Sequence, residues 1–238
     1  MSNKRILLKV GGSLLFDKNL EIREEIVKNF AQILKNAKSV VSVVVGGGKI
    51  ARTYINAARA LDAGESLCDT FGIEVSRLNA RLLIAALEDK AYPEPITNLK
   101  EARSSTLWNK ILVAGGFVPG QSTTSVTFEM AEALKATDVL ILTNVDGIYD
   151  KDPNKFPTAS KFDEIGIKKL EEVIYGEGGS SQSAAGEYRI FDAVSLQILK
   201  RSRLAVRLIN GEKFEELKQL LVEEDFENLI GTKILHSL

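Results

Sequence analysis

Clusters of glycine follow three short apolar runs of the sequence. Gly11-Gly12 follows the first run, Gly46-Gly47-Gly48 follows a run of valines, and Gly115-Gly116 follows the third. Glycine lets backbone N–H groups approach a ligand closely, and N–H groups at the start of a helix bind phosphate. One glycine pair is usually a turn, but several at successive strand ends predict a site for several phosphate groups.

Two basic side chains stand beside these glycines. Lys9 interrupts the apolar run before Gly11-Gly12, and Arg52 lies in the first turn of the helix expected after Gly48. An ammonium acts on phosphate as a point charge, and a guanidinium can bind phosphate through two hydrogen bonds. Lys9 could instead be a strand-end residue that reaches solvent, and Arg52 a surface arginine. We favour phosphate binding for both.

Composition excludes several classes of chemistry. His236 is the only histidine and Cys68 the only cysteine, so an internal disulfide and a Cys/His zinc site are excluded, and histidine-dependent catalysis is disfavoured. The 31 basic and 32 acidic residues give a net charge of −1, without general attraction for nucleic acid or anionic membranes. No run approaches the ~20 apolar residues of a membrane-spanning helix. We expect a cytoplasmic protein that binds neither nucleic acid nor a membrane.

The glycine motifs can be compared with two known phosphate-binding patterns. A P-loop requires glycine where Val43 stands and serine or threonine where Ile50 stands, so this pattern fails twice. Gly46, Gly48 and Ala51 satisfy G-x-G-x-x-A, but the dinucleotide fingerprint also needs a second strand ending in an acid. Residues 50–90 instead have the pattern of helices, so the fingerprint is weak support for a nicotinamide cofactor.

Short β-branched runs alternate with helical periodicities along the chain, which predicts a mainly parallel sheet with helices on both faces. The predicted strands are 5–10, 40–45, 111–114, 139–143, 204–209 and 231–235. The predicted helices are 20–37, 50–61, 73–88, 123–135, 168–175, 190–201 and 213–222. The fourth strand ends in Thr143-Asn144, at the edge where such sheets bind ligands. The Gly/Ser-rich stretch 176–186 is predicted to be a mobile loop at that site.

Six segments together carry a family resemblance. They are LKVGGSLL (8–15), VVVGGGKIAR (43–52), CDTFGIEVSRLNA (68–80), GGFVPGQSTT (115–124), TNVDGIYDKDP (143–153) and GSSQSAAGEY (179–188). Over essentially its whole length the sequence resembles the amino-acid kinase superfamily and, within it, the archaeal-type UMP kinases. D-x-x-G-I…R-x-N-A and P-G-x-x-T-T point to that branch. Isopentenyl phosphate kinases carry a histidine beyond the second glycine loop, which this chain lacks.

The resemblance implies a fold and a reaction. The expected fold is α/β, a three-layer αβα sandwich of the amino-acid kinase (carbamate kinase-like) type. Residues 1–238 are expected to form one domain, with an approximate boundary near residue 120. This boundary divides an acceptor half, 1–120, from an ATP-binding half, 121–238. The implied reaction transfers the γ-phosphoryl group of ATP to UMP, giving UDP and ADP in pyrimidine biosynthesis, with Mg²⁺. The implied assembly is a homohexamer, a trimer of dimers.

The resemblance also assigns site residues. Lys9 and Arg52 are implied to be catalytic. The ATP site is implied to contain Gly12, Ser13, Gly48, Arg52, Thr143, Asn144, Tyr149 and Asp152. The UMP site is implied to contain Gly47, Asp69, Phe117, Val118, Pro119, Gly120, Gln121, Ser122 and Thr123. Thr124 is expected, like Thr123, to donate to the base or phosphate of UMP.

Some residues have a simpler interpretation. Asp69 could cap the helix that follows it. Tyr149 and Asp152 could be plain turn residues beside Pro153. The sequence also departs from the family at Ser125, where many relatives carry aspartate.

A second late lysine, which some superfamily members use, is also absent, and Tyr188 and Arg189 stand in that segment instead. Two alternative functions therefore stay open. One is another small-molecule kinase, acting on a carboxylate, a carbamate or another phosphate monoester. The other is a non-catalytic nucleotide-binding or storage protein.

Overall fold

The computed structural model describes residues 4–151, 153, 156–175, 190–226 and 230–236. Asp152, the predicted loop 176–186, Tyr188 and Arg189 lie outside these ranges. Within the described residues, no helix combines the length and the apolar character needed to cross a membrane.

A seven-stranded sheet forms the centre of the fold. Its strands are β1 Ile6–Val10, β2 Val40–Val45, β3 Leu112–Ala114, β4 Asp138–Thr143, β5 Glu164–Gly166, β6 Ala205–Asn210 and β7 Thr232–Leu235. Their order across the sheet is β3-β2-β1-β4-β6-β7-β5, and among these described strands only the β6–β7 pair is antiparallel. The prediction of a mainly parallel sheet is confirmed.

Helices cover both faces of this sheet. They are α1 Gly12–Leu15, α2 Glu24–Asn36, α3 Gly48–Ala60, α4 Glu65–Leu87, α5 Leu99–Ser105, α6 Thr123–Ala133, α7 Ile167–Tyr175, α8 Ala193–Arg201 and α9 Phe214–Leu221. Alternate strand residues enter different cores, because successive side chains of a strand point to opposite faces. Leu8 and Val43 pack in the core that contains α2, α4 and α9. Leu7 and Val44 pack in the core that contains α6 and α8. The three-layer αβα sandwich is confirmed.

Two predicted helix starts are wrong. The helix predicted from 73 begins at Glu65, because Gly64 ends the preceding turn and the first turns of α4 carry exposed apolar residues that obscure the periodicity. The helix predicted from 20 begins at Glu24, because Leu20 has a φ of 68° and Ile22 forms a β-bridge with Phe16.

Three elements were not expected from the sequence: β5, α5 and the short helix α1, which has only four residues. β5 is only three residues long, Glu164–Gly166, which is too short to show an alternating pattern. α5 begins after Asn98, whose side chain accepts a hydrogen bond of 2.9 Å from the backbone N–H of Glu101. This is an ordinary N-cap, and Asn98 is the sequence signal that would have indicated the helix.

The register of the central strands sets the position of the functional site. Val10 at the end of β1 pairs with Val45 of β2 and with Leu142 of β4. The carboxyl ends of these three strands are therefore level. The residues that follow them, the two glycine loops and Thr143, emerge together at one edge of the sheet.

Candidate active site

The first and second glycine loops lie in direct contact. A Cβ atom built on Gly12 would lie 2.6 Å from the carbonyl oxygen of Gly46 and would also overlap the backbone nitrogen of Gly48. A Cβ atom on Gly48 would lie 2.5 Å from the carbonyl oxygen of Gly12, and its φ is +68°. Side chains at these positions would separate the loops. Glycine is therefore required here by the close approach of two backbones.

Asn79 of α4 holds the second glycine loop in place through two hydrogen bonds. Its side-chain amide donates to the carbonyl oxygens of Gly46, at 2.9 Å, and Gly47, at 3.3 Å. Asn79 is only 5% exposed, so its amide is satisfied mainly by this loop. This role of Asn79 was not predicted from the sequence. Its signal is a polar residue on the buried face of a helix.

The same helix holds the third glycine pair. The backbone N–H of Gly116 donates to Ser76 Oγ at 2.7 Å. The guanidinium of Arg77 donates to the carbonyl oxygens of Gly116, at 3.0 Å, and Phe117, at 3.1 Å. The roles of Ser76 and Arg77 were also not predicted from the sequence. Segment 116–117 is thus fixed against α4.

Asp69 lies within α4 and contacts the loop that follows Phe117. Its Oδ2 accepts a hydrogen bond of 2.8 Å from the backbone N–H of Gly120. The N-cap of α4 is Gly64, so the alternative interpretation of Asp69 as a helix cap is wrong. Gly120 has a φ of +81°, and 118–120 are exposed. Asp69 therefore shapes an exposed loop beside the glycine cluster.

The first turn of α6 reaches the second glycine loop. Ser122 is its N-cap and accepts a hydrogen bond from Ser125 N–H, and Thr123 Oγ1 lies 3.6 Å from a Cβ atom built on Gly46. No described residue accepts a hydrogen bond from the backbone N–H of Thr123 or Thr124. Free N–H groups at a helix start bind anions.

Two residues of this segment point elsewhere. Thr124 Oγ1 donates to the carbonyl oxygen of Ile190 at 2.6 Å. A hydroxyl has one proton to donate, so in this structure the hydroxyl of Thr124 is committed to Ile190, and a donation from Thr124 to UMP would have to come from its backbone N–H. The side-chain amide of Gln121 donates to Glu129 Oε1 at 2.9 Å, along α6.

Lys9 brings a cation to the glycine cluster. Its Nζ lies 3.9 Å from a Cβ atom built on Gly11. No described residue forms a hydrogen bond or an ion pair with this amine. Burial lowers the pKa of Lys9 to about 8, because no anion compensates for the lost hydration. At neutral pH the amine is still mainly protonated, and a bound anion would pair with it.

A cleft of about 490 Å³ opens beside the first glycine loop. It brings together four of the predicted ATP residues, Ser13, Arg52, Asn144 and Tyr149. Thr143 lies at the end of β4 and is buried. The cleft wall is completed by apolar residues of α7 and of the segment before α8, Leu170, Val173, Ile174, Ile190 and Phe191. Tyr149 is thus part of the cleft wall, and its backbone forms a β-bridge with Lys161.

Ser125 is linked to a carboxylate from another helix. Its hydroxyl donates to Asp192 Oδ1 at 2.8 Å, and Asp192 is the N-cap of α8. Asp192 was not among the predicted site residues, because it lies 67 positions after Ser125 in the sequence and no local pattern connects the two.

Comparisons with known proteins place this geometry in a family. The model of the amino acid kinase family matches residues 4–210. A uridylate kinase of Methanobrevibacter smithii is 40% identical over 233 residues, covering 97% of this chain and 99% of that protein. The solved uridylate kinase of Archaeoglobus fulgidus has a TM-score of 0.77 and 32% identity, covering 97% of this chain and 100% of that one.

The fold is also shared with a kinase of different name. The isopentenyl phosphate kinase of T. acidophilum has a TM-score of 0.68 and 20% identity, covering 98% of this chain and 100% of that one. At that identity the likeness concerns the fold alone. The family model and the full-length relatives carry the assignment: the chain belongs to the amino acid kinase family and, within it, is similar to the archaeal uridylate kinases.

Proposed function

We propose that this protein is a UMP kinase that transfers the γ-phosphoryl group of ATP to UMP, giving UDP and ADP. The observation that carries the proposal is the amine of Lys9, which lies beside Gly11, next to the contact between Gly12 and Gly48, and has no partner in the part of the chain that the structure describes. A cleft with a largely apolar wall opens on one side of this contact, and the first turn of α6 approaches it on another. The similarity to uridylate kinases over nearly the full chain supports the same reaction.

The cleft is proposed as the ATP site. Its apolar wall suits a nucleoside, and Ser13 and Arg52 line the end next to the first glycine loop, where phosphates would lie. The proposed ATP site also includes Gly12, Gly48, Thr143 and Asn144. Asp152 also stays a proposal on the family resemblance, because it lies outside the described residues.

The opposite side of the glycine cluster is proposed as the UMP site. Gly47 and the loop 117–123 would surround the nucleotide, with Asp69 holding this loop through Gly120. The N–H groups of Thr123 and Thr124, for which no described residue provides an acceptor, suit its phosphate. In this proposal residues 1–120 supply most of the acceptor site and residues 121–238 most of the ATP site.

The proposed chemistry needs no general base. A phosphate monoester has a second pKa near ~6, so the acceptor is mostly dianionic at neutral pH and is already a nucleophile. Catalysis then depends on alignment of two phosphates and on neutralisation of their charge. Backbone N–H groups, Lys9 and Arg52 supply donors for both purposes. A chain with a single histidine is consistent with this reaction type.

Mg²⁺ is proposed to enter with ATP. Among the described residues, no group of three or more histidine, cysteine, aspartate or glutamate side chains could hold a metal ion. These residues therefore do not fit a metal site of their own. Mg²⁺ is commonly held by substrate phosphates and water, which is the form proposed here.

An acceptor panel tests the proposed function. ADP release from Mg·ATP is measured with UMP, CMP, dUMP, isopentenyl phosphate and acetylglutamate as acceptors. We expect turnover with UMP at least tenfold above that with any other acceptor. Preferential turnover of another acceptor would assign a different small-molecule kinase. No turnover, with nucleotide retained after purification, would indicate a binding or storage protein.

Asp69→Asn is expected to raise the KM for UMP about tenfold and to leave the KM for ATP within about twofold. The amide is a weaker acceptor for Gly120 N–H than the carboxylate, so the loop beside UMP loosens. Steady-state kinetics with each substrate varied in turn measure this split. An equal rise of both KM values would contradict the acceptor-side assignment.

A homohexamer, a trimer of dimers, is also proposed, and two separate apolar patches support it. Tyr54 of α3 stacks on Phe71 of α4 at 6.2 Å, and Leu67 and Leu78 continue this face along α4. A second patch contains Leu107 and Trp108, 89% and 61% exposed. A trimer of dimers needs two distinct interfaces on each chain, and each patch can serve one of them.

Leu78→Glu is expected to lower the mass of the assembly, because a carboxylate on the α4 face must lose its hydration at a subunit contact. Leu78 is 65% exposed in the single chain, so the Leu78→Glu variant should still fold. Light scattering with size-exclusion chromatography measures the mass. Gln32→Glu is the matched control on the exposed face of α2. An unchanged mass for Leu78→Glu would remove this face from the assembly.

A cytoplasmic location is proposed as well. Cys68 is a buried free thiol, which is consistent with a reducing compartment.

A further inference from the structure

The carboxylate of Asp192 joins the starts of two helices. Its Oδ1 accepts hydrogen bonds of 2.8 Å from Ser195 N–H, in α8, and from Ser125 Oγ, in α6. Its Oδ2 accepts a hydrogen bond of 3.1 Å from the backbone N–H of Ser122, the N-cap of α6. The loss of this carboxylate would release the first turn of α6.

Capping of α8 does not require all of these contacts. The capping box of α8 uses Oδ1 of Asp192 and the hydroxyl of Ser195, which accepts from Asp192 N–H at 2.9 Å. Oδ2 takes no part in the cap and is directed at Ser122. The contact between Oδ2 and Ser122 N–H therefore serves α6.

The residues just before Asp192 form part of the ATP cleft and also pack on α6. Ile190 and Phe191 line the cleft. The carbonyl oxygen of Ile190 accepts from Thr124 Oγ1 at 2.6 Å, and the ring of Phe191 stacks on that of Phe128 at 6.3 Å. Segment 190–192 thus contacts α6 through a hydroxyl, a ring and a carboxylate.

The other end of this connection reaches the acceptor side. The first turn of α6 places Thr123 Oγ1 next to Gly46, and the N–H groups of Thr123 and Thr124 have no acceptor among the residues that the structure describes. These groups are the proposed donors to the acceptor phosphate. A continuous path of direct contacts therefore runs from the wall of the ATP cleft, through Asp192, to the acceptor side.

We propose that Asp192 is a positioning residue that couples occupation of the ATP cleft to the order of the first turn of α6. ATP bound against Ile190 and Phe191 fixes segment 190–192, and Asp192 transmits this order to Ser122 and Ser125. The acceptor donors are then held in place before the acceptor phosphate arrives. The identity of the acceptor as UMP rests on the proposed function, but the coupling does not.

Asp192→Asn separates the two roles of the carboxylate. The amide oxygen can replace Oδ1 and keep the cap of α8, but the amide NH₂ then faces the N–H of Ser122, and two donors cannot bond. Ser125→Ala removes one contact to α6 and leaves the carboxylate in place. Ser195→Ala is the matched control, because it breaks the capping box of α8 without touching α6.

Amide hydrogen exchange with a non-hydrolysable Mg·ATP analogue tests the coupling without any acceptor. In the wild-type protein, the analogue should slow exchange in the first turn of α6 several-fold. Asp192→Asn should lose this slowing, Ser125→Ala should reduce it, and Ser195→Ala should keep it. If Asp192→Asn does not fold, Ser125→Ala decides, and full slowing in that variant would overturn the proposal.

Steady-state kinetics supply a second readout. Asp192→Asn should raise the KM for UMP about tenfold while the KM for ATP changes less than twofold. Slowing that is equal in the wild type and in Asp192→Asn, or absent from the wild type, would overturn the coupling. Failure of the wild type to phosphorylate UMP would contradict the proposed function and leave the exchange result valid.

Discussion

Lys9→Ala is expected to lower kcat by about 10²- to 10³-fold, with the KM for ATP changed only a few-fold. The half-buried Lys9 holds its amine beside the first glycine loop, where none of the described residues offers a counter-ion, so its charge is available to the phosphoryl group in transfer. A charge that is used mainly in the transition state affects kcat more than binding. Steady-state kinetics with saturating UMP measure both constants. An unchanged kcat would remove Lys9 from the mechanism.

The pH dependence of the wild type follows from the same amine. Burial lowers the pKa of Lys9 to about 8, so the free enzyme loses this positive charge as the pH rises through 8. The value of kcat/KM for ATP, which reports groups of the free enzyme, should therefore fall above pH 8. Lys9→Ala should lack this alkaline decrease. Lys38→Ala, which removes an exposed lysine at the other edge of the sheet, should retain it.

Gly12→Ala is expected to abolish activity and to destabilise the protein by about 2–4 kcal/mol. Its Cβ would lie 2.6 Å from the carbonyl oxygen of Gly46, and two backbone segments cannot yield as a flexible side chain can. The loops must separate, and the phosphate site is lost with them. Urea unfolding measures the stability, and ADP release measures the activity.

Gly64→Ala is the matched control for this substitution. Gly64 is the N-cap of α4, with a φ of −65°, and a Cβ built there meets no atom within 4 Å. We expect a loss below about 1 kcal/mol, from the weaker cap alone. A Gly12→Ala protein with the stability and activity of the control would contradict the close packing of the two loops.

The parts of the site carried by short local patterns could be predicted from the sequence. The valine run that ends in Gly46 indicated a buried strand followed by a close backbone approach, and Gly12, Gly48 and Lys9 lie together as expected. Such patterns are readable because strand alternation and glycine conformation depend on adjacent residues.

The residues that hold the glycine loops could not be assigned in this way. The helix α4 determines the directions of the side chains of Asn79, Ser76 and Arg77. These directions could not be predicted, because the periodicity of the sequence did not show that the helix begins at Glu65. Asp192 contacts α6 only because α6 and α8 pack together. Long-range contacts of this kind depend on tertiary packing. The hydrogen bond from Thr124 Oγ1 to the carbonyl oxygen of Ile190 could not be predicted for the same reason.

The most direct test of the central claim is the identity of the phosphorylated product. Phosphorus-31 NMR of the purified protein with UMP and Mg·ATP should show UDP and ADP forming in equal amounts, with no inorganic phosphate beyond the enzyme-free control. This result requires transfer of the phosphoryl group to the phosphate of UMP. Release of inorganic phosphate with UMP unchanged, or no reaction, would contradict the account.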